Sequence, residues 1–366
     1  MTFNHSEHAI YYTCLWYVFS AFTRILSSLL QTNPALSSLS FDERSISADG
    51  ISQICAALHA LATAECLQSG PRISKIDFGG NVIGDTGVES CSELIRVSSS
   101  LQEIRLHGCN LSSHGAVTLF SALQVSTSIR VLDLSDNVDH LGLDGFKAIG
   151  AFLCVESSLK ALHLRQNDID SEGFKAITDG LRVNSSLQEL HLESIGLVDT
   201  TVSDFADALR LNSSLRRLNL FNNNICADAA VVLSAALCEN SGLECLDLRC
   251  NMIGDRGASS FCAALRVNNS LQTLDLSGNQ IGDPGAAALG IALVTNSSLK
   301  SILLRRNSIG DGGAVALGEA LCSNSSVTTL EIEYNKIGPL GAECIRKAQR
   351  ENSRLEPISL KGNPCD

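Results

Sequence analysis

The chain of 366 residues is 45% hydrophobic, enough to bury a large core, and a repeat protein reaches this length as one continuous domain. Its formal charge of -12 and the absence of any basic run argue against nucleic acid as a partner, because neutralising phosphates takes a concentrated surplus of Lys and Arg. The cysteines are thinly spread and lack metal-ligand spacing, which indicates a reducing cytosol or nucleus rather than a disulfide framework or a zinc site.

Residues 1–35 are unusually aromatic, with Tyr11, Tyr12, Trp16, Tyr17, Phe19 and Phe22. The expectation is a capping helix, since the open end of a repeat array would otherwise expose its core. A membrane or signal segment and the remnant of a longer protein are the alternatives. The apolar stretch Ala9 to Phe22 is too short to span a bilayer, and Met1 to His8 lacks the positive charge of a signal peptide. No Walker-type G-x-x-x-x-G-K-S/T sequence occurs in this segment.

From residue 36 onward the pattern L-x-x-L-x-L-x-x-N/C-x-L recurs. Units open at Ile73, Leu101, Ile129, Leu159, Leu187, Leu215, Leu243, Leu271, Leu299, Val327 and Leu355, at 28-residue steps except for one of 30, and a degenerate unit opens at Leu36. About twelve units therefore fill residues 36–366. In the unit from Leu271, Leu274 and Leu276 alternate with polar residues, the period of a strand buried on one face. The ninth position holds Asn81, Asn137, Asn167, Asn223, Asn251, Asn279, Asn307, Asn335 and Asn363, with Cys109 as a variant. An amide there can satisfy the backbone of adjacent turns.

After each bend a helix is expected. Asp283 is a candidate N-cap with Pro284 at the first helical position, and Asp85, Asp199, Asp255 and Asp311 repeat the cap. Leu289 and Leu293 share one face, and Ala286 allows close approach to the strand. The Asn-Ser-Ser sequences at Asn184, Asn212, Asn296 and Asn324 match glycosylation acceptors but sit where a helix must end, so the expectation is Asn in a left-handed helix-terminating conformation. The interval from Ala62 to Arg72, containing Gly70-Pro71, predicts a protruding loop. Ile195 replaces the ninth-position Asn in one unit, and the segment from Val138 to Leu143 carries a two-residue insertion. Both bends are expected to deviate locally without breaking the array.

Such a unit cannot bury its apolar face alone, so units must stack into an α/β solenoid, a curved horseshoe with a parallel sheet on the concave face and helices on the convex face. Helices about 10 Å wide against strands about 4.8 Å apart impose the curvature. The L-x-x-L-x-L-x-x-N-x-I-G-D-x-G units resemble the ribonuclease-inhibitor type of leucine-rich repeat, and Leu243 to Gly257 is especially similar to the C-terminal repeats of NOD-like receptors. That resemblance implies a partner-binding module rather than an enzyme.

No H-E-x-x-H or G-x-S-x-G pattern occurs. Gly310-Asp-Gly-Gly313 reads as a repeat turn. His163 and His191 share one strand position in successive units and are read as solvated neighbours rather than metal ligands. The third, fifth, seventh and eighth positions of each unit point away from the core. Among them Arg165, Glu193, Phe221, Arg249, Arg305, Arg306, Glu333 and Tyr334 are the candidate partner contacts, because exposed aromatic and Arg residues dominate interfaces. The expected function is non-enzymatic protein recognition on the concave face, regulating cytoplasmic signalling or innate immunity, with a GTPase or other signalling protein as partner and no cofactor or metal. Alternatives on the fold resemblance are a GTPase activator of the Ran-activating type and a nuclease inhibitor. The first lacks the acidic tail of that family, and the uniform period does not match the alternating lengths of the second.

Overall fold

In a computed structural model of the chain, residues 3–4, 9–11, 28–29, 32–33, 35–43, 45–63, 72–138, 140–197 and 199–366 are described. They fall in two compact units, Met1–Gly180 and Leu181–Asp366.

In the first unit β1 (Phe3–Asn4) pairs antiparallel with β2 (Ala9–Tyr11), and every later pairing is parallel. Strands β3 (Ser38–Ser40), β4 (Lys75–Asp77), β5 (Glu103–Arg105), β6 (Val131–Asp133) and β7 (Ala161–His163) follow in sequence order. They alternate with helices α1 (Ala48–Thr63), α2 (Gly84–Val97), α3 (Ser113–Val125), α4 (Gly142–Leu153) and α5 (Ser171–Val183), the last of which ends three residues past Gly180. Register is set by the apolar fourth position of each repeat: Leu39, Ile76, Ile104, Leu132 and Leu162 lie side by side and are buried. A one-residue slip would turn this whole row to solvent.

The second unit repeats the plan more regularly. Strands β8 (Glu189–His191), β9 (Arg217–Asn219), β10 (Cys245–Asp247), β11 (Thr273–Asp275), β12 (Ser301–Leu303) and β13 (Thr329–Glu331) are all parallel, with Leu190, Leu218, Leu246, Leu274, Ile302 and Leu330 aligned. Helices α6 (Asp199–Leu211), α7 (Ala227–Glu239), α8 (Gly254–Val267), α9 (Asp283–Leu293), α10 (Asp311–Ser323) and α11 (Pro339–Glu351) complete the repeats. Leu289 and Leu293 are fully buried, and so is Ala286.

The ninth-position asparagines form the expected ladder. Asn251 Oδ1 accepts from the backbone N–H groups of Asn223 and Ile225 at 3.0 and 2.9 Å, while its Nδ2 donates to the carbonyls of Leu220 and Leu248 at 3.0 and 2.9 Å. Buried backbone groups that the short strands leave unpaired are thereby satisfied. Cys109 substitutes weakly, with its Sγ donating to the Phe78 carbonyl at 3.4 Å.

Two expectations are corrected. The asparagines at the helix ends are not left-handed: Asn240, Asn268 and Asn324 have φ of -72°, -75° and -71° with extended ψ. They build a second ladder, continuous through the second unit from Asn184 and Asn212 to Asn352. Asn296 Nδ2 donates to the carbonyls of Leu265 and Asn268, and its Oδ1 accepts from the N–H groups of Ser298 and Leu299. Asn184, Asn212, Asn296 and Asn324 are all buried, which removes them as glycan acceptors in the folded chain.

The aspartates, second, do not cap their own helices. No side-chain cap holds α9, whose N-cap is Gly282, and Asp283 instead accepts from Gly310 N and Gly313 N at 2.6 and 2.9 Å, at the start of α10. Asp255 does the same for Gly282 and Gly285, and Asp311 for Gly341. Asp85 takes Ser112 N and Ser112 Oγ. The side chain of Asp199 lies outside the described residues.

Of the loop expected from Ala62, Ala62 and Thr63 close α1, and residues 64–71 lie outside the described set. So do residues 12–27, on which the capping-helix expectation falls. At the inserted segment Asn137 keeps its place in the ladder, donating to the Leu106 and Leu134 carbonyls. Ile195 is buried, and its N–H goes to Asn223 Oδ1 at 3.0 Å.

Candidate protein-binding surface

Each strand ends in a residue whose side chain stands on the open sheet face, and two positions later comes the seventh residue of the repeat. The eighth residue then bends the chain inward through the left-handed region. Glu43, Asp136, Gln166, Ser194, Asn222, Cys250, Arg306 and Tyr334 all have φ between 50° and 57°, and Gly80, Gly108, Gly278 and Gly362 occupy the same phase. Glycine takes this conformation freely, whereas an L side chain there costs roughly 1 kcal/mol.

In the second unit these positions carry two stacked pairs. The Arg249 guanidinium lies 5.3 Å from the centroid of the Phe221 ring, and that of Arg306 lies 5.5 Å from the centroid of Tyr334. Cation–π contact orients each ring while leaving it accessible, and Tyr334 remains 38% exposed. Its ring also covers Gly362, where a Cβ would collide with it.

Carboxylates hold the arginines in place. Arg249 Nη2 is 2.6 Å from Asp247 Oδ2 and its Nε is 3.3 Å from Asp275 Oδ2. The hydrogen bond to Asp247 holds the guanidinium above its ordinary pKa, and burial pushes the Asp275 carboxyl up. Arg305 spans Glu331 at 3.4 Å and Glu333 at 3.5 Å. Glu333 Oε2 is buried without a hydrogen bond, so Arg305 faces its charge from one side.

Glu193 is only 9% exposed and is held from within the face: its Oε1 accepts from Asn219 Nδ2 at 2.6 Å and meets His191 Nδ1 at 3.1 Å. Seven of the eight candidate contacts thus belong to the second unit. Arg165 belongs to the first, where its guanidinium hydrogen-bonds Gln166. The histidines expected as neighbours fall in different units, and each faces carboxylates: His163 Nδ1 is 4.0 Å from Asp133 Oδ2, and His191 meets Glu193 and Glu189. Repeat phase locates these residues, but the carboxylate clamps on the arginines are visible only in three dimensions.

Among the described residues no helix is long and apolar enough to cross a membrane. A family model described as Leucine Rich repeat matches residues 156–177, 211–234, 239–262, 267–290, 295–318 and 323–345. The human NACHT, LRR and PYD domains-containing protein 5 is 31% identical over 121 residues, 32% of this chain and 10% of that protein. The mouse NACHT, LRR and PYD domains-containing protein 12 is 30% identical over 148 residues, 35% of this chain and 14% of that protein. The human protein 3 of the same series is 26% identical over 139 residues, 32% of this chain and 13% of that protein. The matches therefore span a small part of these relatives. Among solved structures, an internalin from Listeria monocytogenes aligns over 93% of this chain and 95% of its own at TM-score 0.52 and 17% identity, a likeness of fold alone.

Proposed function

We propose that this chain, a leucine-rich-repeat protein whose units resemble those of the NACHT, LRR and PYD proteins, is a non-enzymatic recognition module that takes a protein partner on the strand face of its second unit. The observation that carries this reading is the pair Arg306 and Tyr334. Both stand at the left-handed eighth position, which holds glycine in four repeats and Glu43, Asp136, Gln166, Ser194, Asn222 or Cys250 in others, and a bulky Tyr there is a conformational outlier. Tyr334 is the aromatic side chain among these positions, and strain retained under a ring that is 38% exposed supports a role outside folding. Arg and Tyr are also the side chains that most often anchor interfaces.

Phe221 and Arg249 form the second anchor. The surrounding carboxylates favour a partner of mixed or basic surface, because Asp247, Asp275, Glu331 and Glu333 are half-covered and only partly compensated. By the same resemblance we place the role in the regulation of cytoplasmic signalling.

The test pairs two variants. Arg306→Gly should leave stability within about 1 kcal/mol of the native chain, since it exchanges side-chain strain for glycine's larger unfolded entropy. Combined with Tyr334→Ala, Phe221→Ala and Arg249→Ala, it should lower retention of specific partners in affinity capture by at least about tenfold. Lys347→Ala with Arg350→Ala on α11 should change nothing. Retention of every specific partner by the fourfold variant would overturn the reading.

A further inference from the structure

The first unit holds a side-chain cluster that recognition by the second unit does not use. In the repeat opening at Ile73 the seventh position is Gly79, whereas its neighbours on either side present Asp42 and His107 at that phase. The missing side chain leaves a slot, and the His107 ring lies in it: a Cβ on Gly79 would collide with the imidazole. The ring thus crosses a whole repeat, so that Nε2 reaches Asp42 Oδ1 at 3.2 Å. On its other edge, Nδ1 faces Asp77 Oδ1 and Asp133 Oδ2, each at 4.0 Å. One ligating atom from each of Asp42, Asp77 and His107 lies within 4.8 Å of the other two.

This arrangement is incomplete as an internal ion-pair network. His107 Nδ1 is shielded from solvent and makes no hydrogen bond, and Asp42 Oδ1, equally shielded although its side chain is 42% exposed, meets His107 Nε2 as an ion pair alone. Asp77 is 6% exposed, and burial pushes its carboxyl pKa up against the pull of the Gly79 N–H, His107 and Arg105. Arg105, a permanent cation beside the cluster, stands 3.8 Å from Asp77 and hydrogen-bonds Glu103 through its Nε. Three carboxylates, Asp42, Asp77 and Asp133, therefore converge on one imidazole. Buried polar atoms without partners are rare in folded proteins and call for an explanation.

We propose that Asp42, Asp77 and His107 bind one divalent transition-metal ion of the zinc class. The donor set of two carboxylate oxygens and an imidazole nitrogen suits zinc and its neighbours rather than magnesium or calcium, which prefer oxygen alone. Ligand bonds of about 2.0–2.2 Å at tetrahedral angles place ligand atoms roughly 3.3 Å apart, and the separation of Asp42 Oδ1 from His107 Nε2 is already 3.2 Å. For an ion bound at Nε2, Asp77 must swing in from the Nδ1 edge, where its Oδ1 lies 4.0 Å away, while Nδ1–H turns onto Asp133, the outer carboxylate that metal-bound histidines commonly use. Three protein ligands also leave one coordination position for water or for a group on a partner.

The test uses the full chain, stripped with chelator and titrated with zinc chloride by calorimetry, with cobalt(II) as a spectroscopic stand-in. Expected are one ion per chain at micromolar affinity, a visible cobalt absorption band and a zinc-dependent rise in unfolding temperature. Affinity should fall at least about tenfold in His107→Ala, in Asp42→Asn and in Gly79→Ala. Gly79→Ala is the discriminating variant: it removes no ligand, has no backbone strain to overcome and displaces only the ring. Its fold is checked by circular dichroism without metal. His191→Ala, in the other unit, should bind zinc as the native chain does. Absence of binding at millimolar zinc, or equal affinity in the native chain, His107→Ala and Gly79→Ala, would overturn the proposal.

Discussion

Asn251 condenses the logic of the fold into one side chain. Its amide serves two backbone donors and two carbonyls drawn from its own repeat and the one before. Replacing it with Ala leaves those buried groups without partners, and each such group costs on the order of 1–3 kcal/mol. Asn251→Ala should therefore lose about 3 kcal/mol in urea unfolding, and a loss below about 1 kcal/mol would mean that water reaches the ladder. The sequence exposes this role because the ninth-position Asn recurs at fixed phase. The second ladder carries an equally periodic signal, Asn three residues before each opening residue from Asn184 to Asn352. Asn suits a left-handed helix end and a ladder rung alike, and only φ and the bonds to the preceding repeat separate the two. His191 shows a subtler residue effect. Burial works against its charged form, but the hydrogen bond and charge of Glu193, with Glu189 behind it, outweigh burial and the opposing Arg217, so the folded chain holds this proton above the usual value of 6.5. The contribution to stability is complete below that value and disappears as pH rises through the folded-state pKa. The difference in unfolding free energy between the native chain and His191→Gln should therefore shrink as pH is raised from about 5 upward. A difference independent of pH would contradict the assignment.

At the scale of elements, each helix from α9 to α11 begins under the carboxylate of the preceding helix. Asp255, Asp283 and Asp311 each sit in the first turn of one helix and hold the N–H groups that open the next. The interaction couples neighbouring repeats, and a negative charge near a helix N-terminus is favourable for the receiving helix. Asp283→Ala should cost about 1 kcal/mol and speed hydrogen exchange at Gly310 and Gly313 about fivefold, while Gly282 and Gly285, held by Asp255, stay as they are. Acceleration at Gly282 and Gly285 instead would restore the reading of Asp283 as the cap of its own helix. The G-D-x-G pattern locates these helix starts, but a single repeat read in isolation cannot reveal that the acceptor belongs to the repeat before. The same holds for His107, whose contact with Asp42 exists because Gly79 is small. The sequence contains that glycine, yet reveals nothing of the slot until strands are laid side by side.

For the molecule, the strand–helix alternation and the register are legible because burial of leucines at fixed phase leaves few other solutions. What the phase cannot supply is which face residues are anchored and which are spare. Glu193 and Arg249 read alike as exposed charges, whereas the structure buries the first under Asn219 and His191 and stacks the second on Phe221. The regular second unit pairs this patterned face with two continuous sources of rigidity, the two asparagine ladders, so that a partner meets side chains already held in place. Hydrogen-exchange mass spectrometry of the chain with a captured partner tests this most directly. Slowed exchange in segments 217–223, 245–251, 301–307 and 329–335, with α7, α8 and α10 unchanged, is the expected result. Slowed exchange confined to those helices, with the strand segments exchanging as in the free chain, would contradict it.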